Sequence, residues 1–188
     1  IHLFSFVYIV AYYFISQAFS HKTAILFLVC VFISLAFLEF LRIKIGIRIP
    51  VFEIFFRKNE KDRISSSLYL ILGAIIAFSA FEFEIAVTAL LMMMFGDMAA
   101  AIVGMGLGKH WLENFPGRTW EGIIAEFIVN MLVGLIFLNN VLVILIMASI
   151  ATFVETVLSS IDDNLSVPVL AGFAGQIALM MLRIFKLV

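Results

Sequence analysis

The sequence predicts an all-α, polytopic transmembrane helix bundle of about seven spans. Hydrophobic residues make up 64% of the 188 residues and charged residues only 13%, whereas a soluble domain is about half apolar and about a quarter charged. A small globule leaves much of its surface exposed, so it cannot bury such an excess. The charged residues are also concentrated in short segments between long apolar runs, which is typical of helices that cross a bilayer.

Seven apolar runs approach the length of about 20 residues that a membrane span needs. In chain order, we predict spans at residues 3–19, 23–41, 66–81, 85–103, 121–138, 141–159 and 167–185. We expect one integral membrane domain over residues 1–188, with a minimum helix count because the chain starts at Ile1 rather than Met. Cys30 is the single cysteine, which excludes an internal disulfide and a cysteine metal cluster.

Basic residues predict the orientation, because Lys and Arg accumulate in cytoplasmic loops. Seven of them lie between residues 42 and 63, which places this segment in the cytoplasm. Alternation of the spans then brings the glycine-rich segment 104–118 and the turn at Asp162 to the same side, so we expect cytoplasmic active-site loops. The sequence has no basic patch with interleaved aromatic residues, so we expect no nucleic acid partner.

An aspartate, Asp97, stands inside the fourth predicted span. Inserting a carboxylate there costs roughly 3 kcal/mol or more, and such residues are usually functional. Alternating glycines from Gly104 to Gly108 precede Lys109. We expect these glycines to free backbone amides for an anion; the alternative is that they only end the helix. If the helix continues, Gly104 shares a face with Asp97, and a divalent cation between carboxylate and phosphate is expected.

The segment around residue 118 and the end of the second span offer further polar groups. Arg118 beside a helix N-terminus is a good phosphate site. Thr119 is a candidate cap for the fifth helix, and Glu121 would interact favourably with the dipole of that helix. Glu39 and Arg42 are spaced i,i+3, so a local ion pair is the alternative to a binding role.

The sixth predicted span carries Glu155, and Asp162 follows at i+7 on the same face. Asp162, Asp163 and Asn164 provide three oxygen-bearing side chains in a row, and Mg²⁺ prefers oxygen ligands. Ordinary turn chemistry is the alternative for these three residues. For Glu155, the alternative is a structural hydrogen bond to another helix.

Taken in order, these segments resemble the CTP-dependent polyprenol kinase family, which includes dolichol kinase, phytol kinase and archaeal geranylgeraniol-kinase-like relatives. The matching segments are Glu-Phe-Leu-Arg at 39–42, Arg-Lys-Asn-Glu at 57–60, Gly-Asp-Met-Ala-Ala at 96–100 with Gly104, Gly108 and Lys109, and Glu155 with Asp-Asp-Asn-Leu-Ser-Val-Pro at 162–168. The segment Arg-Thr-Trp-Glu-Gly at 118–122 is nearer to the related CDP-lipid synthases, the phosphatidate cytidylyltransferases. The C-terminal His-Gly-Gly…Asp-Arg-x-Asp pattern of those enzymes is absent.

The resemblance implies transfer of a phosphoryl group from CTP to the hydroxyl of an isoprenoid alcohol, drawn from the membrane lipids, with Mg²⁺ as cofactor. The residues implied in catalysis are Asp97, Glu121, Glu155 and Asp162. The implied metal ligands are Asp97, Asp162 and Asp163. The implied nucleotide-binding residues are Gly104, Gly108, Lys109, Arg118, Thr119, Asn164, Glu39, Arg42 and Arg57.

Two other functions are kept as alternatives. One is a CDP-lipid synthase, which would use CTP as a cytidylyltransferase on a lipid phosphate. The other is a cation-coupled membrane transporter in which Asp97 and Glu155 bind the ion, although the internal repeat of many transporters is not evident. The identity of the alcohol, the choice between CTP and ATP, the catalytic base and a homo-oligomeric state are left open.

Overall fold

The computed structural model describes residues 2–45, 64–158 and 161–185. Within these ranges the chain forms seven α-helices and no strand, which confirms the predicted all-α class. The helices are α1 (His2–Ala18), α2 (His21–Phe40), α3 (Ser66–Ala80), α4 (Phe83–Leu107), α5 (Trp120–Phe137), α6 (Val141–Val157) and α7 (Asp163–Ile184). A π-helical turn, Leu41–Ile45, follows α2.

Four stretches of helix in the described residues are long and apolar enough to cross a membrane. They are His21–Lys44, Phe83–Leu107, Trp120–Phe137 and Asp163–Ile184. Three shorter apolar helices accompany them, at Phe6–Ala18, Ser66–Ala80 and Val141–Val157. The protein is therefore an integral membrane protein, while the count of about seven spans and the cytoplasmic side of the loops stay predictions.

Helix α4 is longer than the sequence predicted, because it continues from residue 103 through Leu107. The Gly108 amide still donates to the carbonyl of Gly104 at 3.2 Å. Glycine in a helix costs about 1 kcal/mol relative to alanine. Packing against α5 outweighs that local preference, so the glycine-rich segment begins within the helix rather than as a loop.

The boundaries of α6 and α7 also differ from the prediction. Helix α6 ends at Val157. Asp162 therefore does not share a helical face with Glu155, although their i+7 spacing had suggested that it would. Asp162 instead caps α7, because its Oδ1 accepts a hydrogen bond from the Asn164 amide at 3.1 Å. Aspartate is among the preferred N-cap residues. Helix α7 therefore starts at Asp163, four residues before the predicted start at Val167.

The chain divides into two compact units, residues 1–75 and 76–188. In the first unit, α1 packs against α2, and Tyr12 Oη and His21 Nδ1 are 2.5 Å apart. In the same unit, Arg42 donates to Glu39 Oε2 from Nε at 2.8 Å and from Nη2 at 2.6 Å. Glu39 Oε1 accepts from the Ser65 amide at 2.9 Å. The single membrane domain stays a prediction.

In the second unit, α4 is the central helix. It packs against α5, α6 and α7, and α6 also packs against α5 and α7. All ten side chains of residues 85–94 are buried, including the three consecutive methionines, which therefore serve packing. A helix that is apolar on every side belongs in the interior of a bundle.

The end of this unit at the N-terminus of α4 is held by Glu82. Arg183 donates to Glu82 Oε1 at 2.5 Å and to Oε2 at 2.9 Å, and the Glu82 amide donates to Gln176 Oε1 at 2.9 Å. The hydrogen bond from Arg183 lowers the pKa of Glu82 below its usual value. Glu82 in turn neutralises the charge of Arg183.

Gly134 tests the contact between α5 and α6. A Cβ on Gly134 would overlap the Ile144 side chain, whose Cβ and Cγ1 lie 3.2 Å away. Because a β-branched side chain has little rotational freedom, we expect Gly134→Ala to destabilise the fold by about 1–3 kcal/mol. Gly106→Ala is the matched control, since nothing lies within 4 Å of its Cβ position. Midpoints of thermal unfolding in detergent would measure both; equal midpoints would contradict this packing.

Candidate active site

A cavity of about 240 Å³ lies at one end of the second unit. It is enclosed by the C-terminal part of α4, the loop after it and the first turns of α5. The lining residues are Asp97, Ala100, Ala101, Gly104, Met105, Trp111, Gly117, Arg118, Thr119, Gly122 and Ile123. Asp97 and Gly104 line the same cavity because α4 continues past residue 103, as the spacing of seven residues predicted.

The loop between α4 and α5 folds back on itself and carries Arg118 to the cavity. Trp111 and Thr119 form an isolated antiparallel bridge, and the Trp120 amide donates to the His110 carbonyl at 3.0 Å. The Leu112 amide donates to the Arg118 carbonyl at 3.0 Å. These backbone bonds fix the position of Arg118 directly before α5.

Small residues bring α4 and α5 into close contact beside the cavity. Thr119 caps α5 as predicted, and its Oγ1 accepts from the Gly122 amide at 3.1 Å. A Cβ on Gly122 would lie 2.9 Å from the Ala100 carbonyl oxygen and 3.4 Å from Gly104 Cα. Substituting either glycine would push the helices apart, as expected for a membrane helix contact built on small residues.

The expected cradle of free glycine amides is absent from this part of the structure. The amides from Gly104 to Leu107 lie within helix α4, and the Gly108 amide donates to the Gly104 carbonyl. An α-helical amide already has its backbone partner. Gly104 and Gly108 therefore serve the packing of α4 against Thr119, while nucleotide binding by Gly104, Gly108 and the exposed Lys109 stays a prediction.

Arg118 and Glu155 form the central ion pair of the site. Arg118 Nη1 donates to Glu155 Oε1 at 2.7 Å, and Nη2 donates to the Glu155 carbonyl oxygen at 2.9 Å. The Glu155 side chain is only 1% exposed and that of Arg118 is 27% exposed. Burial opposes the charge on Arg118, but the carboxylates of Glu155, Glu126 and Asp97 hold its pKa above the usual value.

Several acidic groups surround this cation. Asp97 and Asp163 lie within electrostatic range of Glu155, and Asp97 and Glu126 lie within range of Arg118. The structure thus brings the predicted site residues Asp97, Arg118 and Glu155 together, while their roles stay predictions. Charges interact strongly in such a desolvated site, so the cluster is suited to bind a group with both charges, such as a metal-bound phosphate.

Glu126 is a site residue that the sequence analysis missed. It lies in α5 and is 1% exposed, and no N–H or O–H donor of the described residues reaches either of its carboxyl oxygens. The signal was available, because an ionisable residue inside an apolar helix is usually functional. The same rule had singled out Asp97 and Glu155.

The start of α7 brings two aspartates together around a buried amide. Asn164 Nδ2 donates to Asp162 Oδ1 at 2.7 Å and to Asp163 Oδ1 at 3.0 Å. Asn164 is 0% exposed, and its Oδ1 has no hydrogen-bond partner among the residues of the described ranges. Two carboxylates and an orphaned amide oxygen form a donor set of the kind that Mg²⁺ prefers.

In the part of the chain that the structure describes, no three His, Cys, Asp or Glu side chains lie close enough together to hold a metal ion. The expected ligands Asp97, Asp162 and Asp163 are therefore not assembled as one group. The oxygen donors fit the chemistry of Mg²⁺, and the magnesium site stays a prediction.

Glu121 turns away from this cluster. Its Oε1 lies 2.6 Å from His110 Nδ1, and its Oε2 accepts from the His110 amide at 3.3 Å. Glu121 does not line the cavity, because one residue along a helix rotates the side chain by about 100° from Gly122. A direct catalytic role for Glu121 has no support in this geometry and stays a prediction.

Three residues before α3 were also predicted to bind the nucleotide, namely Glu39, Arg42 and Arg57. Glu39 and Arg42 form the local ion pair that was the structural alternative. Their part in binding stays a prediction. Arg57 lies outside the residues that the structure describes.

The ion pair predicts unequal effects of removing its two members. Arg118→Gln leaves the buried Glu155 without a cation, so we expect a loss of about 3 kcal/mol or more in the free energy of unfolding. Glu155→Gln leaves a partly exposed Arg118, so we expect a smaller loss of about 1 kcal/mol. Denaturant unfolding in detergent would measure both variants, and equal losses would contradict the assigned pairing.

Comparison with known proteins indicates the family of the chain. The family model described as the cytidylyltransferase family matches residues 1–166. A phytol kinase from Synechocystis sp. is 31% identical over 103 residues, which cover 48% of this chain and 44% of the kinase. The match thus spans less than half of that relative. No solved structure matches the chain.

The family match extends over most of the chain and includes α4, α5 and α6, which carry the cavity and the ion pair. It confirms the resemblance to the CTP-dependent polyprenol kinases and the related CDP-lipid synthases. The chain belongs to the cytidylyltransferase family.

Proposed function

We propose that the protein is a CTP-dependent lipid kinase that phosphorylates the hydroxyl of an isoprenoid alcohol of the dolichol, phytol or geranylgeraniol type. The observation that carries the proposal is the meeting of Asp97 and the Arg118–Glu155 ion pair at one cavity. Phosphoryl transfer needs little covalent chemistry from a protein, and depends on positioning and on neutralising charge. Arg118, which carboxylates hold in place, can both position a phosphate and neutralise its charge.

The comparisons support the two substrates of this reaction. The family name indicates a cytidine nucleotide, and the partial relative named phytol kinase indicates an isoprenoid alcohol as acceptor. A membrane location also suits such an acceptor, because an isoprenoid chain partitions into the bilayer while a nucleotide stays in water.

In the proposed reaction, Arg118 contacts the transferred phosphate. Its guanidinium keeps its charge at every working pH and offers several donors to phosphate oxygens. The N-terminus of α5, capped by Thr119, faces the same cavity, and the positive end of a helix favours anions. Glu155 holds Arg118 in place, so that the cation does not have to be ordered when the nucleotide binds.

The carboxylates are proposed to hold the metal. Asp97, Asp162 and Asp163 are not assembled as one group in the described residues; they are the candidate ligands, and Mg²⁺ held by them would neutralise the charge that develops on the phosphate oxygens. Asn164 supports the two aspartates through its Nδ2. Its orphaned Oδ1 is a further oxygen donor for the same ion.

We propose that the chain crosses the membrane about seven times, with the cavity facing the cytoplasm. Helix α6 supports this topology, because Glu155 near its C-terminus bonds Arg118 at the N-terminal end of α5. Since α6 begins just after the opposite end of α5, it must return across the same distance. The basic residues between 42 and 63 favour the cytoplasmic side for this end.

A CDP-lipid synthase is the second candidate, favoured by the family description and by Thr119-Trp120-Glu121-Gly122. It would use CTP on a lipid phosphate and release pyrophosphate. We expect instead that purified protein with Mg²⁺ and γ-labelled CTP transfers label to an isoprenoid alcohol such as phytol. Extraction and chromatography of the lipid would detect this; an unlabelled CDP-lipid made from a lipid phosphate would establish the alternative.

Two acidic residues test the proposed charge arrangement. Asp97→Asn and Asp162→Asn should each lower CTP-dependent lipid phosphorylation by about 100-fold or more, as expected when a group that neutralises transition-state charge is removed. Folding should persist, because asparagine is nearly isosteric and also caps helices well. Thermal unfolding midpoints and initial rates would be compared with Glu113→Gln, an exposed loop residue. Wild-type rates in both variants would refute the assignment.

A further inference from the structure

A polar column enters the membrane-buried part of the second unit below the cavity. It begins with Arg118 and Glu155, and ends where Asn130 Nδ2 donates to Thr152 Oγ1 at 3.1 Å. Glu126 stands between these two pairs, since it is one helical turn before Asn130 on α5. Its two carboxyl oxygens and Asn130 Oδ1 are buried, and in the part of the chain that the structure describes no N–H or O–H group donates to them.

Three orphaned acceptors in one column are unusual, because nearly all buried polar atoms in proteins are hydrogen-bonded. Each unmet acceptor costs about 1–3 kcal/mol. These acceptors therefore favour the binding of a group that donates a hydrogen bond. Glu126 is one turn after Gly122 and Ile123, which line the cavity, and helical side chains lean toward the N-terminus, so its carboxyl leans toward the cavity.

We infer that Glu126 receives the hydroxyl of the lipid alcohol and accepts its proton during phosphoryl transfer. This inference rests on the proposed lipid kinase function. The hydroxyl oxygen forms a bond to the γ-phosphorus of CTP, and the bond from that phosphorus to the oxygen bridging to the β-phosphate breaks. The hydroxyl proton passes to the Glu126 carboxylate, and CDP leaves with the bridging oxygen.

The surroundings of Glu126 suit an alcohol better than an anionic acceptor. Asp97, Glu126 and Glu155 face one cation, Arg118, which Glu155 already binds. A lipid phosphate would bring further negative charge to this cluster, and like charges repel strongly where water is excluded. A neutral hydroxyl adds no charge and provides the donor that Glu126 lacks.

Glu155, by contrast, is a poor candidate for the base. Its Oε1 accepts a hydrogen bond from Arg118 Nη1, and its backbone carbonyl accepts one from Nη2, so Glu155 is already engaged in holding the guanidinium. The chemistry therefore divides between two carboxylates, with Glu155 orienting Arg118 and Glu126 contacting the acceptor.

Glu126→Gln tests the inference in full-length purified protein with Mg²⁺, γ-labelled CTP and phytol. We expect kcat to fall by about 100-fold or more, the range of general base catalysis, while the KM for CTP stays within about threefold. The thermal unfolding midpoint should stay the same or rise, because a buried carboxyl becomes a neutral amide. Glu126→Asp should restore part of the activity, and Glu84→Gln, an exposed residue at the start of α4, is the control.

The outcomes separate the two proposals. Wild-type protein that transfers label while Glu126→Gln keeps more than about one fifth of that rate would overturn the role of Glu126 alone. A fall in activity that follows a fall in the unfolding midpoint would also overturn it, since that pattern indicates a structural residue. Wild-type protein that transfers no label to any isoprenoid alcohol would overturn the proposed function, and this inference with it.

Discussion

The ion pair between Arg118 and Glu155 is the interaction on which the geometry of the site depends. A cation and hydrogen-bond donors stabilise a carboxylate that is buried in an apolar helix, and Arg118 supplies both to Glu155. Arg118 comes from the loop before α5, while Glu155 lies in the last turn of α6. The pair therefore joins a polar loop to the bundle and keeps the guanidinium at the wall of the cavity.

Glycines can bind an anion through their backbone amides or let two helices pack closely, and the structure of this chain shows the second role. Their spacing is similar to that of anion-binding loops, yet Gly104 and Gly122 let α4 and α5 touch. In lipid, where burying apolar surface gives no advantage, helices associate through such close packing. An anion at the cavity would then meet the N-terminus of α5 and the Arg118 side chain rather than a glycine loop.

The helices were predictable because lipid leaves a spanning segment no other way to satisfy its backbone. The ends of the helices were less predictable. Glycine at 104 and aspartate at 163 suggested breaks, whereas packing and capping made both positions helical. Asp97, Arg118 and Glu155 were predicted because their chemistry is conspicuous in apolar surroundings. Glu126 was missed and Glu121 was favoured, because a sequence does not state which face of a helix points inward.

The polar column ends halfway along its helices. Beyond Asn130, α5 has only apolar residues up to Phe137, and Gly134 lies directly against the buried Ile144 of α6. The polar groups of α5 therefore stop at an apolar layer. Such a layer would let a membrane protein handle charged groups at one side without offering ions a continuous polar path along this helix.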